Sequence, residues 1–413
     1  MDLKDPLKSY KEQFLFPTYD GKKTLYFCGN SLGLQPKSVQ NHIQEELYTW
    51  AQKGVDGHFE GNQPWIDVRN RSKPILAQLV GAHNHEVVAM NNLSSNLHFL
   101  MVSFYQPTDT RHKILVESEA FPSDRYILDS QLKFHGFDPE NALIEIKPRQ
   151  GEHTLRTEDI LNVIYENGDD IALIMMSGVQ YYTGQFFDLK SITEAGRKVG
   201  ARVGFDLAHA IGNVPLQLHA WEVDFAVWCS YKYLNSGPGN VGGIFVHEKH
   251  AANPDLPRFS GWWGNEEQHR FKMEKSFHPM YGADGWQVSN NNVLALAAHQ
   301  ASLEIFEKAG IKNLRLKSEL LTGYLEFLIV LIGAKSGVFE IISPKNPQER
   351  GCQLSILVKK GGKSVFDALN QQGVIGDWRE PNVIRLAPTP LYNNFEEIFR
   401  FANILERSLI KFA

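Results

Sequence analysis

Cysteine is scarce: the 413 residues hold only Cys28, Cys229 and Cys352, far apart and with no C-x-x-C pair. That argues against a disulfide framework or a thiolate zinc site and fits a reducing, cytoplasmic setting. Long apolar runs are missing too. No segment approaches the roughly 18 apolar residues of a membrane span, and the longest candidate, Phe327 to Ile332, reads as a buried strand or helix. The opening stretch MDLKDPLKSYKEQF lacks the apolar core of a signal peptide. Positive charge is not in excess: 42 Lys and Arg stand against 47 Asp and Glu, for a formal net charge of −5. Nucleic-acid binding therefore finds no support, because phosphate affinity needs clustered cations. Repeats, low-complexity tracts and Gly/Ser linkers are absent as well.

What is present is the composition of a globular protein, 43% hydrophobic and 22% charged, with a length that predicts two or three domains or one large α/β domain with an appendage. Short apolar runs at Lys113–Glu117, Ile171–Ser177, Arg202–Asp206, Asp224–Cys229 and Gly243–His247 read as buried parallel strands. Segments of helical period separate them, one being Leu189–Val199, which Gly200 stops. This alternation predicts an α/β fold with a mostly parallel central sheet and helices on both faces. Beyond Leu296 the pattern becomes a long helix, Leu294–Lys308, then strands at Gln353–Val358 and Val383–Ala387 and a last helix from Phe395. The expected division is an N-terminal segment 1–55 packing with the other end of the chain, a large unit 56–295 and a smaller α+β unit 296–413.

In such sheets chemistry gathers at the carboxyl ends of strands. Arg202–Asp206 ends in a carboxylate, and Asp224–Cys229 is followed at once by Ser230-Tyr231-Lys232-Tyr233. A pyridine-based cofactor needs that pair: a lysine to form an imine with its aldehyde, and an acid to keep the ring nitrogen protonated. A structural salt bridge is the plain alternative for two such residues alone. Three further features favour the cofactor. His209 follows Asp206 within Asp-Leu-Ala-His, and Asn91-Asn92-Leu93-Ser94 opens a helix with amides and hydroxyls suited to a phosphate. Phe121-Pro122-Ser123-Asp124 adds a flat ring and another acid beyond a third strand.

The stretches GNSLGLQP, NLSSNLHFLM, EAFPSDRY, SGVQYYTGQ, FDLAHAIGN, WCSYKYLNSGPG, GWWG and RLAPTPLYN together resemble the kynureninases. These are pyridoxal 5′-phosphate (PLP) enzymes of fold type I that cleave L-kynurenine to anthranilate and L-alanine. The resemblance implies that Lys232 forms the Schiff base, Asp206 meets the pyridine nitrogen with His209 beside it, Phe121 stacks on the ring and Asp124 lies near its O3′ side. It implies a phosphate seat of Leu93, Ser94, Tyr231, Trp262 and Ser177, with Tyr231 also a proton donor. Arg385 is implied as the substrate carboxylate clamp, with Ser31, His58 and Asn290 towards the aryl end. It further implies a homodimer with shared sites, to which Trp262 and Asn290 are contributed across the interface. The substrate expected is L-kynurenine or 3-hydroxy-L-kynurenine.

An aminotransferase or a cysteine desulfurase would share the Asp–His–Lys core, but a desulfurase needs a mobile nucleophilic cysteine, and all three here flank or occupy apolar runs. A metal hydrolase is the competitor from another class. His247-Glu248-Lys249-His250 is one position short of H-E-x-x-H, and His83 and His85 merely alternate in a loop, so no metal is expected.

Overall fold

The computed structural model describes residues 1–251, 253 and 255–409; residues 410–413, the end of the expected C-terminal unit, lie outside it. Short apolar runs, long enough for strands and bounded by turns, form a seven-stranded sheet. In chain order these are β1 (Val87–Ala89), β2 (Lys113–Glu117), β3 (Leu143–Ile146), β4 (Ile171–Ser177), β5 (Arg202–Asp206), β6 (Phe225–Cys229) and β7 (Gly242–Val246). Across the sheet the order is β1-β7-β6-β5-β4-β2-β3. The pairs β6·β5, β5·β4, β4·β2 and β2·β3 are parallel. β7 is antiparallel to both β6 and β1, which corrects the parallel reading of its run. Residues 230–241 hold turns and no crossover helix, so the chain doubles back after β6.

The named helices are α1 (Val39–Lys53), α2 (Val68–Val80), α3 (Leu93–Phe104), α4 (Pro122–Phe134), α5 (Leu189–Lys198), α6 (Val293–Ala309), α7 (Ile311–Ser336) and α8 (Phe395–Leu409). Successive side chains of a strand leave on opposite faces, and β4 divides accordingly. Ile174 and Met176 join a core with Leu76 of α2 and Ile192 of α5, while Leu173 and Met175 join one with Leu97 of α3 and Leu128 of α4. Helices therefore cover both faces. Two of the starts are capped by a side chain: Asn92 accepts the Ser95 amide at α3, and Asp188 accepts that of Ser191 at α5.

A second, antiparallel sheet is formed by β8 (Phe339–Ile341), β9 (Leu354–Val358), β10 (Asp377–Arg379) and β11 (Val383–Leu386), in the order β8-β9-β11-β10. α7 and α8 pack on it through Leu325, Ile356, Leu386 and Phe401. The beginning of the chain returns to this sheet. Leu25–Tyr26 pairs in parallel with Val374–Ile375, and the Ala387 amide donates to the Phe27 carbonyl at 2.8 Å. The Asp2 carboxylate accepts the amides of Phe395 and Glu396 at 2.9 and 3.0 Å, capping α8. The run Phe327 to Ile332 lies in α7, where Ile329 and Ile332 are buried but Phe327, Val330 and Leu331 are exposed, a correction to its reading as wholly buried. No helix among the described residues is long and apolar enough to cross a membrane.

Candidate active site

Parallel strands bring their carboxyl ends to one edge, so Glu117, Ser177, Asp206 and Cys229, the last residues of β2, β4, β5 and β6, lie in a row. Ser177 and Asp206 are register partners. Lys232 follows in the turn after β6, with Nζ 3.1 Å from His209 Nε2. The same amine stands 5.6 Å from the centre of the Phe121 ring and 5.9 Å from that of Tyr231. Tyr181 meets Phe121 edge-on at 5.1 Å. Burial pushes His209 well below the usual imidazole range, and the positive Lys232 adds to this. A neutral ring accepting from Lys232 at Nε2 carries its proton on Nδ1, a buried atom with no hydrogen-bond partner.

Beside this pair, the first turn of α4 presents Asp124 to Asp206, and the two buried carboxyls hydrogen-bond. Burial raises both, Asp124 further because it also faces the charge of Asp206, while Lys232 pulls each back down. Two carboxylates in contact cannot both ionise cheaply, and their repulsion adds to burial in raising Asp124. Asp206 Oδ1 also accepts the Ala208 amide at 2.8 Å. Asp124 thus lies against Asp206, a contact not expected from the sequence, and its Oδ1 is buried without a partner. Glu117, likewise buried, accepts the Ser177 hydroxyl and amide.

Two further groups flank the amine. At the start of α3 the Leu93 and Ser94 amides have no intrahelical acceptor, and Ser94 Oγ is 2.9 Å from Ser123 Oγ next to Asp124. On β11, the buried Arg385 donates from Nη1 to the Tyr181 carbonyl at 2.7 Å and pairs with Asp377 through Nη2, leaving Nε without a partner. Burial lowers it to about 10. The loop before α1 closes this side: Ser31 hydrogen-bonds Cys28, which feels the Arg385 charge, and the Gly33 amide donates to the Tyr231 carbonyl at 2.8 Å. A Cβ at Gly33 would overlap the Lys232 carbonyl and Asn235.

Not every residue named from the sequence converges here. His58 packs edge-on against Trp65 at 5.3 Å, and Trp262 donates from Nε1 to the Arg270 carbonyl at 2.9 Å. Trp262, Phe271, Phe59 and His58 form a continuous aromatic row with ring centres 5.4 to 6.1 Å apart. Asn290 instead lines a cavity of about 340 Å³ with Asn91, Asn92 and Gly239. Sequence reasoning missed Glu117, Tyr181 and Asp377. The first closes an apolar strand run and the second lies within SGVQYYTGQ, so both carried a signal; Asp377 carried none.

The arrangement fits a pyridine aldehyde with a phosphate tail. An amine stands over a flat ring, the buried Asp206 carboxyl lies beside it to meet a ring nitrogen, and helix-start amides suit the phosphate. Residues 314–405 match the family described as kynureninase C-terminal domain. Over 412 residues the chain is 54% identical to the kynureninase of Flavobacterium psychrophilum, covering 100% of this chain and 97% of that relative. The chain belongs to the kynureninase family. The kynureninase of Nematostella vectensis is 49% identical over 426 residues, with 98% of this chain and 92% of that one covered. Among solved structures, a variant of C-DES with glycine covalently linked to its PLP cofactor has a TM-score of 0.78 at 18% identity, covering 93% and 96% of the two chains. Cysteine desulfurase CsdA from Escherichia coli has a TM-score of 0.77 at 15% identity, covering 98% and 99%. These two likenesses show the fold, which the kynureninase family shares with such PLP enzymes.

Proposed function

We propose that this chain hydrolyses the Cβ–Cγ bond of L-kynurenine, or of its 3-hydroxy form, giving anthranilate or 3-hydroxyanthranilate and L-alanine, with Lys232 as the residue that binds PLP. The observation that carries it is the amine–imidazole contact beside the Asp124–Asp206 pair, in a chain of this family. Bound there, PLP supplies an electron-withdrawing ring that stabilises negative charge on the substrate carbons. Asp206 would face the ring nitrogen and keep it protonated, Phe121 would stack on the ring, and His209 fixes the position of Lys232 Nζ. Leu93, Ser94 and Tyr231 would hold the phosphate, with Ser177 close to Asp206. Lys232 Nζ takes the proton from the substrate Cα. Burial raises the Tyr231 hydroxyl, so Oη keeps its proton and can deliver it to the carbon that becomes the alanine methyl. Arg385 grips the substrate carboxylate through two parallel bonds, exchanging Asp377 for it.

The working unit we propose is a homodimer. His58, Trp262 and Asn290 would complete the partner subunit's site, Ser31 meeting the aryl end from within; the half-exposed aromatic row supports this. The division into residues 1–55, 56–295 and 296–413 belongs to the same reading.

A lysine-less variant tests it. Lys232→Ala is expected to lose the yellow imine absorbance and to slow anthranilate release by about 10²-fold or more; full turnover without an added amine would refute the assignment. The second reading, a cysteine desulfurase, takes its weight from the solved structures. Burial pushes the Cys352 thiol up to about 12 and raises Cys28 and Cys229 as well, so none presents the thiolate that sulfur transfer requires. Incubation with cysteine should release no sulfide.

A further inference from the structure

Two histidine-bearing stretches that each fall short as metal motifs, Gly81–Glu86 and His247–His250, meet in space. Glu86 precedes β1, and His247 follows the reversed strand β7, so both lie at the amino edge of the parallel strands, away from Lys232. His219, from the connection between β5 and β6, joins them, held by its own amide donating to the Gly81 carbonyl at 3.0 Å.

Glu86 is fully buried at the centre of this knot. Its Oε2 accepts the His83 amide at 2.8 Å, its Oε1 accepts the Glu248 amide at 2.7 Å, and His219 Nδ1 lies 3.0 Å from Oε1. A carboxylate used as an acceptor on this scale requires His219 to donate, which puts the ring proton on Nδ1 and the lone pair on Nε2. This is the carboxylate–histidine arrangement that orients imidazoles towards metals. Beyond Glu86, ligand atoms of His83, His219 and Glu248 lie within 4.8 Å of one another, and all three side chains reach solvent. The His83 and His219 ring centres are 4.2 Å apart, and His85 Nε2 is 3.2 Å from the Glu248 carboxylate. His247, by contrast, is spent: Nδ1 accepts the Lys249 amide at 3.1 Å and Nε2 lies 3.2 Å from the His219 carbonyl.

We propose that His83, His219 and Glu248 form a binding site for a divalent transition-metal ion, zinc fitting it best, with Glu86 as the positioning residue and His85, beside Glu248, able to serve as a fourth group. Zinc bonds of about 2.0–2.2 Å in a tetrahedron draw the three ligand atoms closer than they now stand, a movement within reach of solvent-facing side chains. Two imidazoles and a carboxylate suit zinc and exclude calcium or magnesium, which select oxygen donors. The ion would tie together the loop before β1, the connection before β6 and the end of β7.

The test uses the tag-free, PLP-loaded protein freed of metal by a chelator, titrated with zinc and, for spectroscopy, with cobalt. One equivalent per chain is expected, with the visible bands of near-tetrahedral cobalt, a higher thermal midpoint and unchanged anthranilate release. His83→Gln and Glu248→Gln, both solvent-facing, should each weaken binding by about 10-fold or more while retaining the PLP absorbance. His269→Gln, in a separate cluster with Glu274 and His278, should leave it unchanged. No bound equivalent, binding unaltered in the first two variants, or binding lost in the third would overturn the site.

Discussion

At the scale of single residues, a proton shared by Asp124 and Asp206 would make two similar acids unequal. With the proton on Asp124, which burial and the neighbouring Asp206 raise, an amide at 124 imitates that form, whereas an amide at 206 removes the charge that would face the ring. Asp124→Asn should keep turnover within a few fold; Asp206→Asn should lower kcat by about 10²-fold or more. Equal losses in the two variants would show that the proton is not on Asp124. The sign of the pH effect follows. A carboxyl raised in the folded state stabilises the fold relative to its ionised form at low pH, and that contribution is lost as pH rises through the folded value. The urea midpoint of the parent should therefore fall on the alkaline side more than that of Asp124→Asn, measured with the cofactor held constant.

Among elements, the loop before α1 is fitted to the Lys232 turn at Gly33, where the Asn235 side chain and, less able to move away, the Lys232 carbonyl and Asn235 Cα stand in the path of a Cβ. Gly33→Ala should cost about 1–3 kcal/mol by overpacking, read as a lower urea midpoint together with PLP lost more readily on dialysis; a variant that held both would show the turn to be loose. Much at this scale was legible in the chain. β2, β4 and β5 begin and end at the residues their apolar runs predict, because both faces of these strands are buried. β3 was missed for the opposite reason: it is an edge strand, its Glu145 faces solvent, and Leu-Ile-Glu-Ile offers no long run. The direction of β7 was not legible either, since a buried strand has the same composition whichever way it runs. Within the site, Lys232 and Asp206 could be found as strand ends, but the meeting of Asp124 with Asp206 depends on how α4 crosses the sheet, which no local pattern records.

For the molecule as a whole, the decisive point is the exposure of the row of Trp262, Phe271 and Phe59, which are 45%, 54% and 58% exposed. If subunits exchange these residues, two inactive variants should repair one another. Lys232→Ala mixed with Trp262→Ala/Asn290→Ala, refolded together, should recover about one quarter of parent activity, because half the dimers are hybrids and each hybrid has one intact site. No recovery would place both groups in one subunit. The return of the chain's beginning to its end sets an order of construction. Leu25–Tyr26 and the loop carrying Ser31 are made early, yet their anchors at Val374–Ile375, Ala387 and Asn393 emerge some 350 residues later in the chain. At a ribosomal pace of about 5–20 residues per second, that is a wait of roughly 20–70 s. The wall beside Lys232 that is synthesised first is thus the last to be fastened, and a nascent chain has its lysine turn and acid pair long before it has a closed chamber around them.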